Sequence, residues 1–89
     1  MELNVKGSFY RDVAAYTNSE LLLQIYKAIQ NIKSAEYASR IHNLKKLRKY
    51  DIHYRIKIAG DYRIGILIKK NKIWFVRFGH RSSFYKKFP

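Results

Sequence analysis

The sequence predicts an α+β fold in which a two-helix hairpin packs on a curved, mainly antiparallel four-stranded sheet. The expected order of elements is β-α-α-β-β-β, followed by a short C-terminal helix or tail. Two patterns predict this class: apolar residues recur at helical spacing before residue 40, and they alternate with polar residues from residue 52 onward. With 89 residues the chain has room for one small core, so we expect a single domain over residues 1–89.

The first elements are expected to be a short strand and two helices. Residues 2–6 show a strand pattern, and Ser8 is a candidate cap for the first helix. Thr17 and Glu20 have the spacing of a capping box, in which both side chains bond free amides at a helix start. The second helix, expected over about residues 18–33, carries an apolar stripe of Leu22, Ile25, Ile29 and Ile32.

Two half-buried strands are expected after a partly helical connector. The segments 54–58 and 62–68 alternate apolar and polar side chains, which is typical of strands with one buried face. Residues 59–61 form the loop between them, and its odd length places Ile56 opposite Ile64. The two strands therefore share an apolar face.

The same register predicts a cationic face on the other side of the sheet. Lys57 lies opposite Arg63, and Arg55 faces Gly65, whose missing side chain leaves open space beside the guanidinium. Like charges that oppose each other across two strands destabilise the pair, so the arrangement makes better sense with an anion between them. We therefore expect a concave, positive surface.

The last strand, expected over residues 73–79, is apolar on both faces, so parity alone does not orient it. We expect Trp74, Val76 and Phe78 to point inward, because the alternative buries Arg77 without a partner. Arg77 would then belong to the cationic face.

The net charge of +13 lies entirely in the second half of the chain. Residues 1–39 hold four basic and four acidic residues, whereas residues 40–89 hold fifteen basic and two acidic residues. Such an excess is typical of proteins with a polyanionic partner, and nucleic acid is the leading candidate. An anionic membrane is less favoured, because the charge falls on strand-like segments rather than on an amphipathic helix.

Several classes of chemistry are excluded or poorly supported by composition. The chain has no cysteine, hence no disulfide, thiolate zinc site or cysteine nucleophile, and its three histidines show no paired spacing for a metal. Its apolar runs are far shorter than the roughly 20 residues of a membrane span, and its N-terminus lacks the pattern of a secretion signal. We expect a cytoplasmic domain with no metal, cofactor or membrane partner.

The remaining candidates for chemistry are arginine, lysine, tyrosine and histidine. Such a cluster can position a phosphodiester and stabilise the charge that develops during attack on it. RNA supplies its own nucleophile, the 2′-hydroxyl. An enzyme that uses it needs a proton acceptor, a donor for the leaving 5′-oxygen and cations around the phosphorus.

Three segments of the second half resemble the RelE/ParE superfamily of bacterial toxins. They are Tyr-Arg-Ile-Lys-Ile at 54–58, Gly-Asp-Tyr-Arg-Ile at 60–64, and Gly-His-Arg at 79–81 with Tyr85 four residues later. The helical hairpin and Leu-Lys-Lys-Leu at 44–47 match the same layout. The resemblance implies a RelE-like fold and neutralisation by a cognate antitoxin. In the RelE-like branch it implies cleavage of mRNA in the ribosomal A site, and in the ParE-like branch inhibition of DNA gyrase without RNA cleavage.

The RelE-like branch implies catalytic roles for Arg55, Lys57, Arg63, Arg81 and Tyr85 in this chain, and the chemistry of its side chain adds His80 to these candidates. Tyr85 would activate the 2′-hydroxyl or stack on a base, and Lys57 and Arg63 would hold the phosphate. Arg81 would stabilise or protonate the leaving oxygen. His80, an acid–base group suited to neutral pH, would share or take over a proton transfer. The products would carry a 2′,3′-cyclic phosphate and a free 5′-hydroxyl.

A second set of basic residues is expected to bind RNA without reading its sequence: Lys45, Lys46, Arg48, Lys49, Arg77, Lys86 and Lys87. For the run at residues 44–49, an ordinary solvated turn is an equally good interpretation. The leading hypothesis is a ribosome-dependent mRNA endonuclease whose partners are the ribosome, with its mRNA and ribosomal RNA, and an antitoxin that sets the oligomeric state. The alternatives are a non-catalytic gyrase inhibitor and a plain RNA-binding module.

Overall fold

The computed structural model describes residues 1–89 and has the predicted α+β class. Its elements are β1 (Glu2–Val5), α1 (Gly7–Ala14), α2 (Ser19–Ser34), a short 3₁₀ helix (Ala38–Arg40), β2 (Leu44–Lys46), β3 (His53–Ile58), β4 (Tyr62–Lys69), β5 (Lys72–His80) and α3 (Arg81–Lys87). The strands form one sheet in the order β1-β5-β4-β3-β2. Only the pairing of β1 with β5 is parallel, so the sheet is mainly antiparallel as predicted.

The sheet has five strands rather than four. The additional strand is β2, in the basic segment 44–49 for which no strand was predicted, and Leu44 pairs with Ile56 of β3. With only three residues, β2 is too short for an alternating pattern to reveal it in the sequence. Its pairing with β3 moves Lys45 and Lys46 from a loop onto the edge of the sheet.

Both helices begin close to the expected residues, but neither uses the expected cap. Ser8 lies inside α1, and its hydroxyl donates to the carbonyl oxygen of Val76 at 2.5 Å. The cap of α2 is Asn18, whose Oδ1 accepts from the amide of Leu21 at 2.9 Å, so Thr17 forms no capping box. Neither helix, nor α3, has the length and apolar composition that a membrane crossing requires.

The core lies between the two long helices and one face of the sheet. Ile25 and Ile32 of the predicted stripe are fully buried, whereas Leu22 and Ile29 are partly buried against the same cluster. From the sheet, the core takes Ile56, Ile64, Ile66, Ile73, Phe75 and Phe78, and from α1 it takes Phe9. The helices therefore cover one face and leave the other face of the sheet for the site.

The predicted β3–β4 hairpin is confirmed residue by residue. Ile56 is paired with Ile64, and the strands are joined by the three residues between Ile58 and Tyr62. Two of these residues, Ala59 and Gly60, have positive φ values of 50° and 74°, which lets so short a loop reverse the chain.

Strand β5 contains an irregularity that the sequence did not reveal. Gly65 is paired with Arg77, but the next residue of β4, Ile66, is paired with Phe75. Val76 is therefore an additional residue on β5, which is the definition of a β-bulge.

The bulge changes which side chains of β5 reach the core. Ile73 and Phe75 are buried before the bulge, and Phe78 is buried after it. In a regular strand every second residue faces the same side, so Phe75 and Phe78 could not both face the core. The prediction was right for Phe78 and wrong for Trp74 and Val76, both of which remain partly exposed. One inserted residue switches the face of every side chain beyond it.

Candidate active site

The open face of the sheet carries two rows of basic side chains in the predicted register. Lys45 of β2, Arg55 of β3 and Gly65 of β4 are paired across three strands, and Lys57 is paired with Arg63 in the next such row. Like charges therefore oppose each other in both rows, a repulsion that a bound anion would relieve.

Part of this face is covered by α3, which follows β5 directly. Phe84 in α3 and Phe88 directly after it are at most 2% exposed. A Cβ atom built on Gly65 would lie 2.8 Å from the Phe88 ring, so this ring occupies the space above the glycine. The expectation of open space beside Arg55 was therefore wrong, because the C-terminal aromatic residue fills it.

Four predicted catalytic residues line one open pocket where α3 meets β4. The pocket has a volume of about 450 Å³ and is lined by Arg63, His80, Arg81, Ser82 and Tyr85. Two guanidinium groups, an imidazole and a phenol thus surround a space that a phosphate group can enter. Ser82 was not predicted, although its position two residues after His80 is visible in the sequence.

Arg63 is the fixed cation of the pocket. It is only 7% exposed, and its Nη1 donates to the carbonyl oxygens of Gly60 at 2.8 Å and Tyr62 at 3.0 Å. Its Nε is buried and has no hydrogen-bond partner. The β3–β4 loop therefore holds this guanidinium in place beside the pocket.

Arg81 is the exposed counterpart on the surface. Its Nε lies 3.2 Å from Oδ1 of Asp61, and both side chains are more than half exposed. Its backbone amide also donates to the carbonyl oxygen of Asp61 at 2.7 Å, which ties the start of α3 to the β3–β4 loop. An exposed ion pair of this kind contributes little, so a phosphate can replace the carboxylate. Asp61 is the only acidic residue after position 51.

His80 caps α3 with its side chain. Its Nδ1 accepts from the amide of Ser82 at 3.1 Å and lies 2.9 Å from the hydroxyl of the same residue. Because Nδ1 is an acceptor here, the proton of the neutral ring is on Nε2. The ring lies edge-on to Tyr62 at a centroid distance of 5.3 Å. His80 therefore presents an N–H donor.

Tyr85 is half exposed and lines the pocket from α3. Its ring meets the ring of the buried Phe84 edge-on at 5.0 Å. Tyr85 is therefore held in position by the buried Phe84 that precedes it in the chain.

Arg55 and Lys57 lie beside the pocket and do not line it. The Nη1 atom of Arg55 donates to the carbonyl oxygen of Asn43 at 3.3 Å. Lys57 is exposed and lines a different cavity, of about 380 Å³, together with Lys27 and His42. The structure thus brings four of the six residues together and leaves these two at the periphery.

Arg77 does not belong to the cationic face, so this expectation was wrong. Its Nε and Nη2 donate to the two carboxylate oxygens of Asp12 in α1 at 2.9 and 3.0 Å. Asp12 also accepts from the amide of Phe78 at 2.9 Å. Because β5 extends beyond the last residue that β1 pairs with, Phe75, its edge is free there and α1 covers it.

The other six residues predicted to bind RNA are all exposed: Lys45 and Lys46 on β2, Arg48 and Lys49 in the turn after it, and Lys86 and Lys87 on α3. They lie on the edge strand and on the helix that frame the open face. No group of histidine, aspartate or glutamate side chains could hold a metal ion.

The open sheet, the helices on one of its faces and the basic pocket beneath a short C-terminal helix together define a RelE-like toxin fold. No known family profile matches the chain. Over 47 residues it is 45% identical to Toxin RelE3 of Methanocaldococcus jannaschii, a match that covers 53% of this chain and 52% of that protein. The chain thus matches about half the length of this relative.

Solved structures show the same fold over nearly the whole chain. The RelB–RelE antitoxin–toxin complex from Methanococcus jannaschii superimposes with a TM-score of 0.78 at 28% identity, over 97% of this chain and 99% of that one. YafQ from E. coli superimposes with a TM-score of 0.63 at 13% identity, over 92% and 94% of the two chains. These comparisons confirm the resemblance predicted from the sequence, and the chain is RelE-like.

Proposed function

We propose that the protein is the toxin of a toxin–antitoxin pair and that it cleaves mRNA on the ribosome. The observation that carries the proposal is the pocket that Arg63, His80, Arg81 and Tyr85 line together. The likeness to Toxin RelE3 and to the toxin of the RelB–RelE complex supports the toxin part of the proposal and a cognate antitoxin as a partner. The translating ribosome is proposed as the second partner from the resemblance of the sequence to the RelE-like branch.

The proposed reaction is a transesterification within the RNA. The 2′-oxygen forms a bond to the adjacent phosphorus, the bond from phosphorus to the 5′-oxygen breaks, and a proton passes to that 5′-oxygen. Arg63 and Arg81 stabilise the charge on the phosphoryl oxygens, and Lys57, paired with Arg63 across β3 and β4, adds positive charge from the periphery of the pocket. Tyr85, as its phenolate, accepts the proton of the 2′-hydroxyl, and either Arg81 or His80 in its imidazolium form gives a proton to the leaving oxygen. No metal ion takes part.

The exposed lysines and arginines around the pocket serve a different purpose in this proposal. Each contact with a phosphate of ribosomal RNA adds affinity that depends on salt and not on base sequence. They would bring the toxin to the ribosome, whereas the pocket would perform the cleavage.

Induced expression in a bacterial host tests the proposal. The wild-type chain should stop protein synthesis and leave cleaved transcripts within minutes, whereas Tyr85→Phe and Arg81→Ala should relieve both effects while folding normally. Matched controls are Tyr10→Phe and Arg11→Ala. They change an exposed tyrosine and an exposed arginine on α1, neither of which lines the pocket.

Two results would contradict the proposal. Unchanged toxicity in both pocket variants would remove the catalytic assignment. A DNA-damage response with continuing translation would instead support the gyrase-inhibitor alternative, for which the four pocket residues have no catalytic use.

A further inference from the structure

The C-terminal helix α3 is anchored by two phenylalanines and presents two proposed catalytic groups. Phe84 in the helix and Phe88, the extended residue directly after it, are 1% and 2% exposed, whereas Arg81 and Tyr85 are exposed and line the pocket. Arg81 and Tyr85 lie four residues apart, so they share one face of α3. The phenylalanines anchor the helix on the protein, and the shared face presents the two proposed catalytic groups.

This helix depends on its anchors for its position. It has only seven residues, and isolated helices of that length are not stable in water. The ring of Phe88 lies 5.5 Å from that of Phe84 and 5.5 Å from that of His53 in β3, measured between centroids. The phenylalanine thus connects the end of α3 to the sheet.

The position that receives the Phe88 ring is Gly65 of β4. A Cβ atom on Gly65 would lie 2.8 Å from Cγ and 2.9 Å from both Cδ atoms of the ring, closer than side chains pack. The backbone of Gly65 is not in the left-handed region, so its conformation alone does not require glycine. Glycine is needed here because the aromatic ring lies directly on the backbone.

Gly65 lies two residues from Arg63 on the same strand and the same face, about 7 Å along it. The point at which Phe88 docks therefore sets where α3 lies relative to the fixed guanidinium of the pocket. Small displacements matter for such geometry, since an error of about 1 Å in a reacting group can lower a rate by about 10²-fold.

We infer that Gly65 and Phe88 are positioning residues, which together hold Tyr85 and Arg81 in register with Arg63. Neither touches the pocket, and both act through α3. The inference rests on the proposed function for its catalytic consequence, but the docking itself is a property of the fold.

Gly65→Ala tests the inference directly, because it adds the one atom that the ring excludes. The amides of α3 should exchange hydrogen at least tenfold faster than in the wild type, while those of β3 and β4 remain protected. On programmed ribosomes, kcat should fall about 10²-fold, and KM should change less than threefold because no charge is lost. The matched control is Gly79→Ala on β5, where a Cβ atom meets nothing within 4 Å; its α3 exchange should equal that of the wild type.

A second substitution separates positioning from a general loss of stability. Adding Phe88→Leu to Gly65→Ala makes room for the new Cβ atom and should restore α3 protection and most of kcat. Should Gly65→Ala fail to fold, Phe88→Ala removes the ring without introducing a clash, and the same two measurements apply.

Three outcomes would overturn the inference or its basis, and they are distinguishable. Wild-type exchange of α3 in Gly65→Ala would disprove the docking. Faster exchange with unchanged kcat would disprove the positioning role. A wild-type chain that cuts no RNA would refute the proposed function, and the exchange measurement would still decide whether Gly65 and Phe88 hold α3.

Discussion

Asp12 links α1 to the free edge of β5, and Asp12→Ala is expected to destabilise the fold by about 2–4 kcal/mol. The carboxylate accepts two hydrogen bonds from Arg77 and one from the amide of Phe78. The alanine variant would leave a half-buried guanidinium and a backbone amide without partners.

The size of the expected effect follows from the burial of the Asp12 and Arg77 side chains. The Asp12 and Arg77 side chains are 10% and 27% exposed. Removing one partner of a fully buried ion pair costs about 3–5 kcal/mol, and a hydrogen bond to a charged group contributes about 1.5–3 kcal/mol. Solvent reaches Arg77 and reduces the first figure, which gives the range of about 2–4 kcal/mol.

Thermal unfolding followed by circular dichroism measures the effect. For a domain of this size, 1 kcal/mol corresponds to about 4–8 °C in Tm, so the variant should melt roughly 8–32 °C below the wild type. Asp51→Ala is the matched control, since it makes the same change in charge at an exposed residue outside both ion pairs. A difference of less than about 3 °C between the two variants would refute the reasoning, because an effect that small belongs to surface substitutions.

The remaining predictions concern a helix cap, an ion pair and long-range charge. Asn18→Ala should lower the free energy of unfolding by about 1 kcal/mol in urea titrations, whereas Thr17→Ala should change it by less than half as much, since Asn18 is the cap; equal effects would contradict that assignment. Asp61→Asn should leave stability within about 1 kcal/mol of the wild type and tighten RNA binding, because it frees the guanidinium of Arg81; weaker binding in filter assays would disprove this competition. Replacing both lysines of Lys86–Lys87 with alanine should reduce the slope of log K against log salt by about 1–2 units, and an unchanged slope would show that they touch no phosphate.

The register of the central hairpin was predictable because its determinants are local. Alternation fixes the buried face of each strand, and the odd loop length fixes the pairing of Ile56 with Ile64. Once this pairing is known, the opposed Lys57 and Arg63 follow without further information. Two adjacent segments of the chain therefore suffice to predict the cationic face.

The features that the sequence did not reveal depend on contacts between distant residues. The bulge at Val76 and the partner of Arg77 both arise where α1 covers the edge of β5, and Asp12 is 65 residues from Arg77 in the chain. The space above Gly65 is filled by Phe88, which arrives there only because α3 folds back on the sheet. The alternation of side chains along a strand and the spacing of residues along a helix do not reveal contacts between distant parts of the chain.

One error could have been avoided from the sequence itself. Thr17 and Asn18 are adjacent candidates for the same helix start, and asparagine is the stronger N-cap. Asn18 bonds the amide three residues later, as an N-cap does. Glu20 favours a capping box with Thr17, but it lies one residue too early to form one with Asn18.

The chemical structure of the RNA ends produced by purified protein on programmed ribosomes tests the central claim most directly. Attack by the 2′-hydroxyl within the basic pocket predicts a 2′,3′-cyclic phosphate on the upstream fragment and a free 5′-hydroxyl on the downstream one. Fragments that end in a 3′-hydroxyl and a 5′-phosphate would mean that water or another nucleophile attacks the phosphorus, and would contradict the proposed chemistry of this pocket.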